Sequence, residues 1–121
     1  MQITEIYRRG VVLAKTKEAL ASIDANDVSL ETQIDWLSIS EEIFIHLWKS
    51  GFFSKLNTAC GILADDYEEE VIPVACLDAA IKTTIDFKAI TVNKETNVFL
   101  DGFLMLLHKG RELQFPLMLV L

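Results

Sequence analysis

The chain has 121 residues, of which 51% are hydrophobic and 24% charged, as in a folded globular domain and unlike a disordered chain. Its 11 basic and 18 acidic residues give a net charge of −7, which repels nucleic acid phosphates and anionic membranes and attracts basic partners. We therefore expect one domain, residues 1–121, that binds neither nucleic acid directly nor a membrane.

The cysteine content and the first residues predict a compartment. The chain has only two cysteines, Cys60 and Cys76, which are too few for a disulfide framework, so free thiols in a reducing compartment are expected. Residues from Met1 to Glu5 show no basic segment leading into an apolar one, and no apolar run approaches the roughly 18 residues of a membrane helix. The predicted localisation is cytoplasmic.

The spacing of hydrophobic residues changes within the first third of the chain. Residues 3 to about 23 are predicted to be helical, because apolar side chains recur there at near-heptad spacing. From Val28 to Trp36, apolar and polar residues alternate, which predicts a strand with one buried face and one acidic, solvent-facing side. Trp36 is expected on the buried face of that strand.

Two helices are predicted in the middle of the chain. Ser40 followed by two glutamates is a typical helix start, and Gly51 suits a left-handed end for this helix. A second helix is predicted from Phe52 towards Ile72, bent at Gly61, with an apolar stripe at three- and four-residue steps. The acidic residues between 65 and 70 fall off that stripe, so they are expected to face solvent or a partner.

The last third is predicted to hold two more helices and a strand. An amphipathic helix runs from Leu77 to about Phe87, residues 88–93 fit a strand of a few residues, and 93–97 form a polar turn. An apolar helix follows and ends at Gly110, and residues 113–121 alternate as a strand. Pro116 favours an edge position for this strand, and its simplest partner is strand 28–36.

These elements together predict an α+β fold. It is helix-dominated, with about five helices and a small sheet formed by residues near 28–36 and 112–121.

The segment Asp65-Asp66-Tyr67-Glu68-Glu69-Glu70 carries five carboxylates in six residues. It closes a longer acidic region: from Asp24 to Glu70, 11 acids face two bases, a net charge of −9. On a helix, like charges four residues apart repel by a few tenths of a kcal/mol, so solubility alone does not require such crowding. Two interpretations stay open: a surface that keeps the protein soluble, and a docking surface for a cationic protein.

The sequence contains no catalytic signature. His46 and His108 lie on different predicted helices, and no pattern joins them to cysteines or carboxylates at metal-binding spacing. Asp65, Asp66 and Glu69 are conceivable ligands for a divalent cation, but the glycine turn of a calcium loop is absent. No catalytic residue, metal or cofactor is therefore predicted.

Aromatic residues near the acids are candidate interface anchors. Trp36 fits a core position, Trp48 is left open between core and surface, and Phe52 is the best candidate for exposure because it lies off the apolar stripe. The residues predicted to bind a partner are Asp65, Asp66, Tyr67, Glu69, Glu70, Phe52, Glu31 and Asp35.

One part of the chain resembles a known group of proteins. Leu47-Trp48-Lys49-Ser50-Gly51-Phe52-Phe53-x-x-Leu56-Asn57, followed by Asp65-Asp66-Tyr67-Glu68-Glu69, resembles small acidic immunity proteins of bacterial contact-dependent growth-inhibition and related polymorphic toxin systems. The resemblance covers roughly 25 residues and carries over no individual binding residue. It implies a cytoplasmic protein that binds and blocks a cognate toxin domain, often a nuclease.

The leading hypothesis is a non-enzymatic inhibitor whose acidic residues meet lysines and arginines around the active site of a basic partner. One alternative is a small metal-dependent enzyme or regulator that uses His46, His108 and carboxylates. Another is a subunit of a homo-oligomer whose terminal strand pairs between chains. The sequence leaves the oligomeric state open.

Overall fold

The computed structural model describes residues 9–24, 33–65 and 69–121. These ranges contain four strands and five α-helices, and they confirm the predicted helix-dominated α+β class. In chain order the elements are β1 (Gly10–Ala14), α1 (Lys17–Asp24), β2 (Ile34–Ser38), α2 (Glu41–Lys49), α3 (Phe52–Cys60), β3 (Glu69–Ile72), a 3-10 turn (Val74–Cys76), α4 (Leu77–Ile90), α5 (Lys94–Leu113) and β4 (Leu117–Val120).

The four strands form one antiparallel sheet in the order β2-β1-β4-β3. The terminal strand is therefore internal: Leu119 is opposite Val11 of β1 on one side and Glu70 of β3 on the other. The prediction that this strand is an edge strand paired with strand 28–36 is wrong, because β1 lies between them. Pro116 precedes β4, so it removes no donor from the ladder.

The prediction of a helix from residue 3 to about 23 is wrong at its centre, where β1 lies, and correct at its end, where α1 lies. Every residue of β1 is buried, and a short, continuously apolar run is the pattern of a strand covered on both faces. Gly10 suits the close pairing with β2, since a Cβ there would overlap the indole of Trp36 and the carbonyl oxygen of Leu37. Residues 3–8 lie outside the described ranges.

The sheet separates two apolar clusters of unequal size. On one face, Val11, Leu13 and Leu119 join the main core, which the buried faces of α2, α3, α4 and α5 complete. On the other face, Val12, Ala14, Ile34 and Val120 form a small cluster with Ala19 of α1, and Trp36 packs against it as predicted. Alternation along each strand therefore supplies both clusters. Of the predicted strand 28–36, residues 28–32 lie outside the described ranges.

The helix predicted from Phe52 towards Ile72 ends much earlier. Gly61 adopts a left-handed conformation with φ of 64°, and its N–H donates to the carbonyl of Asn57, which closes α3 at Cys60. The chain then runs without regular structure to Asp65, and Glu69 opens β3 at the edge of the sheet. Gly61 therefore ends the helix as a left-handed cap, whereas the sequence predicted only a bend there.

The helices α4 and α5 also differ from their predicted ends. Helix α4 continues to Ile90, so residues 88–93 contain no strand. Asn93 caps α5 by accepting a hydrogen bond of 2.9 Å from the Thr96 N–H, so the predicted turn at 93–97 is helical from Lys94. Gly110 lies inside α5, where a Cβ would come within 2.7 Å of Leu117, and Gln114, with φ of 61°, is the residue that ends the helix.

Helix α5 supplies the largest buried face of the main core, through residues such as Phe99, Leu100, Phe103 and Leu107. This confirms the apolar helix predicted in the last third of the chain. Among the described residues, no helix combines the length and the hydropathy that crossing a membrane demands.

Candidate protein-docking site

The helices α2 and α3 form a hairpin with well-defined ends. Ser40 accepts a hydrogen bond of 3.2 Å from the Ile43 N–H, and Glu41 and Glu42 lie in the first turn of α2, as the sequence predicts. Gly51, with φ of 85°, joins the two helices in the predicted left-handed conformation. The direct connection brings the C-terminal turn of α2 against the first turns of α3.

An aromatic cluster fills this junction. The ring of Phe44 lies 6.0 Å from that of Trp48 and 5.5 Å from that of Phe53, and Trp48 is 6.0 Å from Phe53. The guanidinium of Arg9 sits 3.8 Å above the ring of Phe44, within the range of a cation–π contact. Phe44 and Phe53 are buried, so they support the indole from the core side.

Trp48 is the exposed member of the cluster, with 45% of its surface accessible. It forms a ridge between two shallow grooves of about 450 and 430 Å³. The first groove is lined by Phe44, Ile45, Trp48 and Lys49, and the second by Trp48, Phe53, Ser54, Asn57 and Thr58. A half-exposed tryptophan that packs on buried rings between two grooves is the kind of residue that anchors protein interfaces. We call the ridge and its two grooves the Trp48 surface.

Asn57 connects the Trp48 surface to the acidic segment. Its side chain lines the second groove, donates a hydrogen bond of 3.1 Å to the Ala64 carbonyl and accepts one of 2.8 Å from the Ala64 N–H. This pair of bonds fixes the backbone that leads directly into Asp65, which is exposed. On the other side, Glu41 lies four residues before Ile45 on α2, and so on the same face of that helix. Glu41 and Asp65 are therefore the carboxylates linked to the two grooves, one along α2 and the other through Asn57.

We expect Asn57→Ala to lower the free energy of unfolding by about 1–2 kcal/mol, because it leaves the N–H and the carbonyl of Ala64 without their partner. The Ala64 amide should also exchange its hydrogen faster, which amide exchange followed by mass spectrometry measures. Asn57→Asp is the matched control, since it keeps the acceptor for the Ala64 N–H and should preserve most of the protection at this amide. Equal exchange in Asn57→Ala and the wild type would show that the bond pair does not fix this loop.

The predicted acidic partner-binding residues do not share one helical face. Asp65 lies in the irregular segment after α3, while Glu69 and Glu70 lie on β3, the edge strand of the sheet. Glu69 is exposed and Glu70 is half-buried. Charged side chains are a common means of preventing an edge strand from pairing with another chain. Three further predicted residues lie outside the described ranges: Glu31, Asp66 and Tyr67.

Two predicted site residues have other roles. Phe52 is 1% exposed and packs against the rings of Phe87 and Phe103, so the prediction that it is exposed is wrong. Asp35 binds Lys109 at 2.7 Å and Lys15 at 3.5 Å. Burial raises the pKa of Asp35, but the hydrogen bonds and charges of these two lysines outweigh this effect and hold the pKa below its usual range. We therefore leave both residues out of the candidate site.

The other side chains that could take part in catalysis or bind a metal do not lie together in one site. His46 lies on α2, and His108 lies on α5 with its Nδ1 3.1 Å from the guanidinium of Arg111. Within residues 9–24, 33–65 and 69–121, no three histidine, cysteine, aspartate or glutamate residues are placed to hold a metal ion. Cys60 and Cys76 are free thiols, and each Sγ points at the carbonyl oxygen of the other, at 3.7 and 3.3 Å.

Burial, reinforced by Cys76, raises the pKa of the Cys60 thiol to about 11. Because the thiolate is the reactive form, we expect iodoacetamide at pH 8 to alkylate Cys60 about a hundredfold more slowly in the folded chain than in the unfolded one. The stabilisation from the protonated thiol is complete below the ordinary pKa of 9.0 and is lost as the pH rises through about 11. Mass spectrometry of peptides alkylated across this range checks the prediction, which a rate that levels off near pH 9 would contradict.

No protein-family model matches the chain, and neither a curated protein nor a solved structure matches it. The function of the site therefore rests on its own geometry.

Trp48 is the residue that sequence reasoning left open. By its spacing Trp48 shares a face of α2 with Phe44, four residues earlier, and the one signal for its exposure is its place in the last turn of the helix, just before Ser50 and Gly51.

Proposed function

We propose that this protein is a non-enzymatic, cytoplasmic inhibitor of the immunity type. It would neutralise a cognate toxin domain, a nuclease in our proposal, by covering its basic surface. The observation that carries the proposal is the half-exposed indole of Trp48, packed on buried aromatic rings, in a surface whose Asn57 is hydrogen-bonded to Ala64, the residue before the exposed Asp65. The resemblance of residues 47–57 and 65–69 to immunity proteins of polymorphic toxin systems supports the same conclusion.

The acidic residues and Trp48 suit different stages of binding. The net charge of −9 between Asp24 and Glu70 draws a basic partner from a distance and raises its association rate. Trp48 then gives affinity at short range, because aromatic anchors in desolvated centres of interfaces account for much of the binding energy. A nuclease active site is a suitable target, since it must carry positive charge to hold phosphates. Inhibition follows from occlusion and requires no chemistry by this chain.

The test is capture from the native host with the immobilised protein, followed by an activity assay. We expect a basic protein to bind at low salt and to elute at high salt, because exposed charge attraction is screened. When purified, this protein should act as a nuclease that one equivalent of our protein inhibits. Trp48→Ala bait should capture much less of it, whereas Val92→Ala bait, changed at a side chain that is 97% exposed, should capture the normal amount. A captured partner without toxin activity would contradict the proposal.

A further inference from the structure

The outer face of the α4–α5 hairpin has a regular arrangement of charge around an apolar centre. The two helices are antiparallel, and two ion pairs cross between them: Asp78 with Arg111 at 2.9 Å near one end, and Lys88 with Asp101 at 3.0 Å near the other. Ile85 and Leu104 lie between these pairs along their helices, and with Lys88 and Ala89 they line a shallow groove of about 330 Å³. Ile85 is 50% exposed although it occupies the middle of this face.

The four charged corners alternate in sign. The corners are the four members of the two ion pairs. On α4, Asp78 is negative and Lys88 is positive. On α5, Arg111 beside Asp78 is positive and Asp101 beside Lys88 is negative. A twofold axis in the plane of this face, either along or across the helices, places each corner over a corner of opposite sign in a second copy. The pattern is thus complementary to itself, as an interface between two identical chains requires.

The net charge of the hairpin agrees with this arrangement. Residues 77–113 contain five acids and five bases, so they are neutral in a chain of net charge −7. Two copies of an acidic protein meet with least repulsion through a neutral face, whereas a basic partner gains no attraction there. The exposed Ile85 and the half-buried Leu104 supply the apolar centre around which a polar rim is normal in protein interfaces.

We propose that the outer face of the α4–α5 hairpin binds the same face of a second copy, forming a twofold-symmetric dimer through four helices. This interface differs from pairing through the terminal strand, because β4 is hydrogen-bonded on both sides within the chain. The dimer does not depend on the proposed inhibitor function, since it uses neither the Trp48 surface nor the acidic segment.

Sedimentation equilibrium between about 1 and 200 μM tests the proposal, because dimers of this kind depend on protomer concentration. The wild type should pass from monomer to dimer, and Ile85→Asp should raise the dimer Kd at least about tenfold, since it puts a charge at the apolar centre. Val92→Asp, the same kind of change at a side chain that is 97% exposed in the loop after α4, should leave the Kd within about threefold. A monomer throughout, or a dimer that Ile85→Asp does not weaken, would overturn the proposal.

A variant with all four corners reversed tests the charge pattern itself. Its substitutions are Asp78→Lys, Lys88→Glu, Asp101→Lys and Arg111→Glu. They preserve the net charge and the two intrachain ion pairs, so the variant should dimerise with a Kd within about threefold of the wild type. It should not mix with the wild type, because like charges then meet at every corner. Free exchange between differently labelled wild-type and reversed chains, measured by fluorescence energy transfer, would show that these corners do not face each other.

Discussion

Replacing Phe52 by alanine should lower the free energy of unfolding by about 3–5 kcal/mol, a large share of the stability of a domain of this size. The side chain is 1% exposed, and its ring centroid lies 5.0 Å from that of Phe87 and 6.0 Å from that of Phe103. Truncation therefore removes contacts to α4 and α5 at once and leaves a cavity between three helices. Chemical denaturation followed by circular dichroism measures the change.

The conservative variant Phe52→Leu tests whether the loss of stability depends on how much of the buried side chain is removed. It keeps most of the apolar side chain, so its loss should be no more than about 1.5 kcal/mol. If Phe52 were an exposed anchor, alanine there would change stability by no more than about 0.5 kcal/mol. A value in that range for Phe52→Ala would contradict the aromatic core described here.

Replacing Trp48 by alanine should weaken binding of the partner captured from the host at least about thirtyfold, which corresponds to about 2 kcal/mol. The indole is 45% exposed, and its centroid lies 6.0 Å from those of Phe44 and Phe53, so buried rings already pack against it in the free protein. A binding partner therefore pays little conformational entropy to use it. Titration calorimetry gives the affinity, and denaturation of the free protein shows whether the fold is intact.

Val92→Ala is the matched control for Trp48→Ala, because it also truncates an exposed apolar side chain, but one in the loop between α4 and α5. Its affinity should stay within about twofold of the wild type. Affinities for Trp48→Ala and Val92→Ala that agree within that margin would remove Trp48 from the docking site.

Local signals in the sequence predicted some of the helix ends that side chains or glycine determine, although the caps at Gly61 and Asn93 were missed. The cap at Ser40 and the left-handed Gly51 are examples, since both depend on residues within three or four positions. Strand β1 was missed because a short apolar run fits a helix or a buried strand equally well. Only the sheet resolves this ambiguity: β1 is buried on both faces because β2 and β4 flank it and helices cover both sides.

The candidate site was predictable in its charge but not in its shape. The acidic segment is evident in the sequence, yet the placement of Glu69 and Glu70 on an edge strand depends on the pairing of β3 with β4, which lies near the other end of the chain. The aromatic residues show the same limit. Phe52 lies off one helical stripe, but α4 and α5 bury it. Trp48, in contrast, keeps 45% of its surface exposed.

The most direct test of the docking site compares association rates with the captured partner at several ionic strengths. Glu69→Lys/Glu70→Lys reverses two carboxylates of the acidic segment, and Glu95→Lys/Glu112→Lys makes the same change in net charge at exposed positions of α5. We expect the first double variant to associate at least about tenfold more slowly at low salt and to lose much of its salt dependence, because steering depends on local charge. The second should slow association much less. Equal effects of the two variants, or no effect of either, would contradict an acidic docking surface at this edge of the sheet.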